Sequence, residues 1–225
     1  MRIGRIVDLS HRVDEHTQVF PGDPEPYFEP ATTIEGEGVN VLSLHIGSHS
    51  GTHVDAPYHF VEDGARIDEM DPALFVGLAT IMDVRGKEPR ERITVEDLRP
   101  YENQFSEGAI AVVWTGWDEH FGTPRYYDHP FLDHRAAQLI LDSGVKTVAI
   151  DALNVDETVL EDPHPEGYPV HHLICGAGGV IAENLTGVGS VAFSEPILSL
   201  LPIKLGGSDG APVRAVAIER LSSSS

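Results

Sequence analysis

Residues 42–47 alternate strictly: Leu42, Leu44 and Ile46 are apolar, with Ser43, His45 and Gly47 between them. A period of two sends successive side chains to opposite faces of an extended chain, which predicts a strand. Further apolar runs at 3–9, 79–84, 109–114 and 145–150 also read as strands, the third as a fully buried one. Two more strands are expected at 190–193 and 214–218. Helical spacing is rarer. Residues 133–143 carry apolar positions at 136, 137, 140 and 141 and stop near Gly144, and Thr94 stands as an N-cap before Val95-Glu96-Asp97-Leu98. Residues 164–169 are polar and proline-rich, a loop that delivers His171-His172. Many short strands with few helices imply an α/β or α+β protein with a mixed sheet. No internal repeat or long linker divides the chain, so one domain over residues 1–225 is expected, with residues 222–225 as a frayed tail.

Past Gly47 the alternation leads into an irregular segment, His49-Ser50-Gly51-Thr52-His53-Val54-Asp55-Ala56-Pro57-Tyr58-His59-Phe60. His49, His53, Asp55 and His59 all hold odd positions, so an extended chain would present them on one face. Gly51, Pro57 and the β-branched Thr52 and Val54 disfavour a helix. Imidazoles with a carboxylate are ligands for a divalent transition metal, and two histidines with one carboxylate leave coordination positions open for catalysis. The alternative is a surface histidine cluster that holds nothing. Four aligned groups favour the metal.

Composition narrows the partners. Fifteen Lys and Arg stand against 36 Asp and Glu, a formal charge of -21, which argues against nucleic acid or an anionic membrane as partner. The lone cysteine, Cys175, excludes an intrachain disulfide and suits a reducing cytoplasm. It sits in an apolar stretch, as a small buried residue rather than a nucleophile. The first residues lack a signal-peptide core, and no run approaches the roughly 20 apolar residues of a membrane helix. A cytoplasmic protein is expected.

The segment 49–60 matches H-x-G-T-H-x-D-x-P-x-H-F in full, and by it the chain resembles the cyclase-like metal-dependent hydrolases. That family includes bacterial kynurenine formamidase (arylformamidase) and isatin hydrolase. Other stretches are similar to it: Phe20-Pro21-Gly22-Asp23, a strand closing on Thr115-Gly116-Trp117, and acidic residues after the 145–150 run. The family places a metal-binding histidine twelve positions before a metal-binding glutamate; His171 and Glu183 fit, and His172 misses by one. Glu183 also stands out alone, because a carboxylate between Ile181-Ala182 and Leu185 is costly unless paired or coordinated. A buried, salt-bridged glutamate beside a solvent-facing histidine is the alternative. The glycine-rich 204–212 stretch lacks a P-loop's lysine and spacing and reads as structural.

The resemblance implies a swivelling β/β/α architecture. It implies that His49, His53 and Asp55 hold one metal, and that His171, Glu183 and a bridging Asp55 hold a second. His59 then moves the proton, and Phe20 contacts substrate. Asp151 is read as a buried or capping carboxylate off the metal, and Trp117 as a buried anchor. Zinc is the expected ion at one or two per chain, with manganese as the alternative. Such an ion acidifies a bound water, making hydroxide available near neutral pH for attack on a carbonyl. Imidazole's ordinary pKa of ~6.5 suits proton transfer to the leaving nitrogen. The expected function is hydrolysis of a carbon–nitrogen bond in a small amide or formamide, as when arylformamidase converts N-formylkynurenine to kynurenine and formate in tryptophan catabolism. The alternatives are ring opening of a lactam, as by isatin hydrolase, and a metal-binding protein without catalysis. The family also implies a homo-oligomer, a dimer or tetramer.

Overall fold

The strands of this computed structural model, which describes residues 2–160 and 167–221, run in chain order as follows. They are β1 (Arg2–Asp8), β2 (Tyr27–Thr32), β3 (Val41–His45), β4 (His53–Asp55), β5 (Val76–Asp83), β6 (Arg92–Ile93) and β7 (Ile110–Trp114). After them come β8 (Phe131–Leu132), β9 (Thr147–Ile150), β10 (Val180–Glu183), β11 (Ile197–Ser199), β12 (Gly210–Pro212) and β13 (Val216–Leu221). The α-helices are α1 (Ile34–Glu37), α2 (Val95–Leu98), α3 (His134–Asp142) and α4 (Pro169–Gly176). The frayed tail expected at 222–225, and the 164–166 part of the expected loop, lie outside the described residues.

Nine strands form one mixed sheet in the order β1-β13-β11-β5-β7-β9-β10-β4-β12. Its centre, β5-β7-β9-β10, is parallel, and antiparallel pairs flank it on both sides. The central strands are apolar on both faces because both faces are covered. On one side Ala111, Val113, Val148, Ile150 and Ile181 pack with Ile140 of α3 and Ile174 of α4. On the other, Ile110, Val112, Ala149, Val180 and Ala182 pack with Val54, Leu198, Ala211 and Ala217. Asp133 caps α3 by accepting from the Arg135 amide at 2.8 Å. The Asp97 carboxylate accepts from the Thr94 amide at 2.7 Å and so fixes the start of α2.

Three features of the fold differ from the sequence expectations or add to them. Residues 190–193 form no strand: Val188–Ser190 is a 3-10 turn, and the chain re-enters the sheet only at β11, after Glu195 at φ 51 and Pro196. Pro169, expected in the loop, opens α4, which carries His171 and His172. Finally, β2 and β3 pair only with each other, as a separate ribbon, and Val41, Leu42 and Leu44 stay exposed. The alternation does mark a strand there, but no part of the described chain buries it.

Candidate metal centre

The sheet register assembles the centre. Across the antiparallel ladders, His53 lies opposite Glu183 and Pro212, and Asp55 lies opposite Ile181 and Gly210. Opposed residues share a face, so His53, Asp55 and Glu183 project toward the layer that holds α4. Only His53 and Asp55 owe their common direction to an extended backbone. His49 comes from the turn before β4, and His59 from the 3-10 turn Pro57–His59. Helix α4 then lowers His171 onto the same point.

Hydrogen bonds set each ring's tautomer. The Gly51 carbonyl can only accept, so His53 donates to it through Nδ1 at 2.8 Å and leaves Nε2 free. His171 donates through Nδ1 to Asp156 Oδ2 at 2.8 Å and likewise frees Nε2. Those two Nε2 atoms meet the carboxylates at 3.3 to 3.6 Å. His53 Nε2 lies 3.3 Å from Asp55 Oδ1 and 3.6 Å from Glu183 Oε2, while His171 Nε2 lies 3.5 Å from Asp55 Oδ2 and 3.4 Å from Glu183 Oε1. Asp55 is fully buried, and its Oδ2 has no hydrogen-bond partner. Ligands about 2.1 Å from a shared tetrahedral ion stand about 3.4 Å apart, so these spacings and the orphaned oxygen fit a divalent metal. His49 completes the set: its Nδ1 is 2.8 Å from Asp55 Oδ1, and its Nε2 is 3.0 Å from Asp209 Oδ2.

The charges oppose burial. Desolvation would lower the His49 pKa, but the Asp55 carboxylate and then Asp209 outweigh it and push it up to about 10. Burial likewise disfavours charge on His171, yet Asp156, Asp55 and Glu183 together raise it well above the usual histidine range. Without metal, protonated rings balance the buried carboxylates; a metal would take the place of those protons.

A cavity of about 210 Å³ opens beside these groups, lined by Phe20, Asp23, His59, Phe60, Tyr168 and Asn184 together with the metal-facing side chains. Phe20 and Phe60 approach the Tyr168 ring edge-on, at 6.3 and 5.4 Å between centroids. The His59 ring lies tilted against His49, 4.1 Å between centroids, and reaches Asp209 Oδ2 through Nδ1 at 3.2 Å. It also lies close enough to His49 and Asp55 to share an ion with them. The structure therefore gathers His49, His53, Asp55, His59, His171, Glu183 and Phe20 in one place. His172 is exposed and packs on the outer side of Phe60, 5.1 Å between ring centroids. Asp151 stays off the centre, accepting from Thr115 and Gly116, and Trp117 is a buried anchor. Burial pushes the Cys175 thiol up to about 12, so it is no nucleophile.

Two carboxylates in the centre are not among the residues the sequence singles out. Asp156 accepts from the Val170 and His171 amides, each at 2.9 Å, as well as from the His171 ring. It thereby caps α4 from thirteen residues upstream of Pro169. Asp209 sits in the stretch read as structural. Asp156 lies among the acidic residues after the 145–150 run that resemble the family, whereas Asp209 has no local signal, and what each carboxylate touches is set by the fold.

A mixed sheet that brings histidines and carboxylates together from β4, β10 and α4 defines a protein with a divalent-metal centre. The chain belongs to the cyclase family, whose model matches residues 7–157. It is 30% identical over 211 residues to a kynurenine formamidase of Geobacillus thermodenitrificans (strain NG80-2), covering 93% of this chain and 95% of that protein. A solved isatin hydrolase bound to the product analogue thioisatinate superposes with a TM-score of 0.86 at 18% identity, over 95% of this chain and 92% of that one, which shows the shared fold. A potential metal-dependent hydrolase with cyclase activity gives a TM-score of 0.74 at 25% identity, over 97% and 99% of the two chains. No helix among the described residues is long and apolar enough to cross a membrane.

Proposed function

We propose that this protein is a metal-dependent hydrolase that cleaves the carbon–nitrogen bond of an aryl formamide, in the manner of its kynurenine formamidase relatives. The observation that carries the reading is that His53 Nε2 and His171 Nε2 each face both Glu183 and a fully buried Asp55 whose Oδ2 has no hydrogen-bond partner. His49, His53, Asp55, His171 and Glu183 would hold one or two zinc ions, with manganese as the alternative. When bound, such an ion supplies Lewis acidity toward water and the carbonyl oxygen.

The chain's own groups do the rest. The rings of Phe20, Phe60 and Tyr168 form an apolar wall suited to one face of an aromatic substrate. His59 is the proton donor for the leaving nitrogen: Asp209 occupies its Nδ1, leaving Nε2 to exchange a proton with substrate. Asn184 and Leu153 also line the cavity. The exposed apolar residues of the β2–β3 ribbon support a homo-oligomer, and the lone buried Cys175 supports a cytoplasmic protein.

The test couples elemental analysis of the purified protein to turnover of N-formylkynurenine, other N-formyl anilines and isatin. Zinc or manganese with fastest turnover of formyl anilines is the expected result. Preference for isatin would move the substrate to a lactam. Bound metal with no turnover of any of them would leave a metal-binding protein, and no metal on titration would refute the centre itself.

A further inference from the structure

Asp209 touches two of the site's histidines with a single oxygen atom. Its Oδ2 lies 3.0 Å from His49 Nε2 and 3.2 Å from His59 Nδ1, and the centroids of those two tilted rings are 4.1 Å apart. The backbone around it is held firmly. Its carbonyl accepts from the Ala56 amide at 2.8 Å, the carbonyl of Ser208 accepts from Ile67 at 3.0 Å, and Gly210 pairs with Asp55 in the β12–β4 ladder. Gly210 is required there, because a Cβ would come within 2.8 Å of both His49 Cε1 and the Val54 carbonyl oxygen. The ring of His49 thus lies directly against the β12 backbone, and the Asp209 carboxylate is delivered at its edge.

We propose that Asp209 is a positioning residue that ties a metal ligand to the proton donor, a role that rests on the hydrolase reading above. By accepting from His49 Nε2–H it directs Nδ1 toward Asp55 and the metal. By accepting from His59 Nδ1–H it fixes the ring that gives up its proton through Nε2. One carboxylate sets the separation between the ion and the acid. Carboxylates that orient ligating histidines are worth roughly 10–100-fold in metal affinity or activity. Asp209 acts on both quantities at once.

The experiment compares Asp209→Asn, Asp209→Ala and a control, Asp68→Ala. Asp68 accepts from the Gly207 amide at 2.9 Å and steadies the same loop without touching either histidine. Zinc affinity is read by chelator competition, and kcat and KM are read at saturating zinc. Asp209→Asn can keep an oxygen for both ring donors but loses the negative charge that holds them, so both affinity and kcat should fall roughly 10–100-fold with KM little changed, and Asp209→Ala should fall further. Asp68→Ala should change neither by more than a few-fold. In a His59→Ala background, Asp209→Asn should lower kcat no further, since its effect on rate runs through that ring. Equal losses in Asp68→Ala, independent losses in the double variant, or wild-type zinc affinity in both Asp209 variants would each overturn the proposal. Should the wild-type protein turn over neither the formyl anilines nor isatin, the hydrolase reading fails first. Zinc affinity then decides alone whether Asp209 positions His49.

Discussion

Replacing Asp156 with asparagine separates two jobs done by one buried carboxylate. Its Oδ1 accepts from the Val170 amide at 2.9 Å, and its Oδ2 accepts from the amide and ring Nδ1 of His171 at 2.9 and 2.8 Å. Asparagine is nearly isosteric but offers one acceptor oxygen, so its NH2 must face a donor it cannot satisfy. If the oxygen stays on His171, the Val170 amide is orphaned at the start of α4. A buried unsatisfied donor costs about 1–3 kcal/mol, and losing the charge from the ring bond removes about 1 kcal/mol more. The sum of those two terms is about 2–4 kcal/mol. For a chain of this size each kcal/mol moves the Tm by roughly 2–4 °C, so a fall on the order of 4–16 °C is expected.

That loss should be present in EDTA, because capping α4 needs no metal. The second loss concerns the ring. With weaker hold on Nδ1–H, His171 Nε2 is less well aimed at Asp55 and Glu183, and zinc affinity should drop about 10–100-fold. Thermal unfolding with and without zinc, beside a chelator titration, reads both. A wild-type Tm in EDTA refutes the capping argument. A lowered Tm with wild-type zinc affinity refutes the orienting one.

Other outcomes follow from the same geometry. His171→Ala should lose metal and activity together, whereas His172→Ala, altering only an exposed ring against Phe60, should keep both; elemental analysis with an activity assay checks this. His59→Ala should keep its metal while kcat falls on the order of 10²–10⁴, with less loss for substrates having better leaving groups; a metal-poor variant would make His59 a ligand instead. His129 is buried between the Pro130 carbonyl and Thr158 Oγ1, and burial pushes its pKa down to about 4. Below about pH 6.5 the unfolded chain takes up a proton that the folded chain refuses, so stability should fall by about 3 kcal/mol between pH 6.5 and 4, and His129→Gln should flatten that limb in denaturant titrations.

What the sequence discloses depends on where each interaction lies along the chain. The 109–114 and 145–150 runs identify buried strands because covering both sheet faces leaves no charged position in β7 or β9. Asp133 and Thr94 mark helix starts because their capping partners are two or three residues away. Helix α4 has no such mark: a proline-rich lead precedes it, and its capping carboxylate comes from Asp156. The odd numbering of the four site residues is a reason that holds in part. Parity aligns His53 with Asp55, but His49 and His59 reach the centre through turns. His171 and Glu183 follow from a resemblance in spacing, and the register that opposes Glu183 to His53 explains why the glutamate lies where it does. Asp209 has no such guide, since both of its ring partners are 150 or more positions away.

This division between ladder and loop decides how the centre can change. His53, Asp55 and Glu183 are fixed by backbone hydrogen bonds of β4 and β10, and His171 by a helix packed on that face, so the metal-facing atoms move only if the sheet does. The aromatic wall has another origin. Phe20 comes from the turn that leads to the β2–β3 ribbon, Phe60 follows the 3-10 turn after β4, and Tyr168 stands just ahead of α4. Substitutions there should alter KM and substrate choice without emptying the metal site. The ribbon's second strand ends at His45, four residues before His49, and only a short turn separates the two. A partner that covered the exposed Leu42 and Leu44 would therefore also bear on the turn that carries His49. Deleting the ribbon should lower zinc affinity in a chelator competition even though no ribbon residue faces the ion, and an unchanged affinity would uncouple the two.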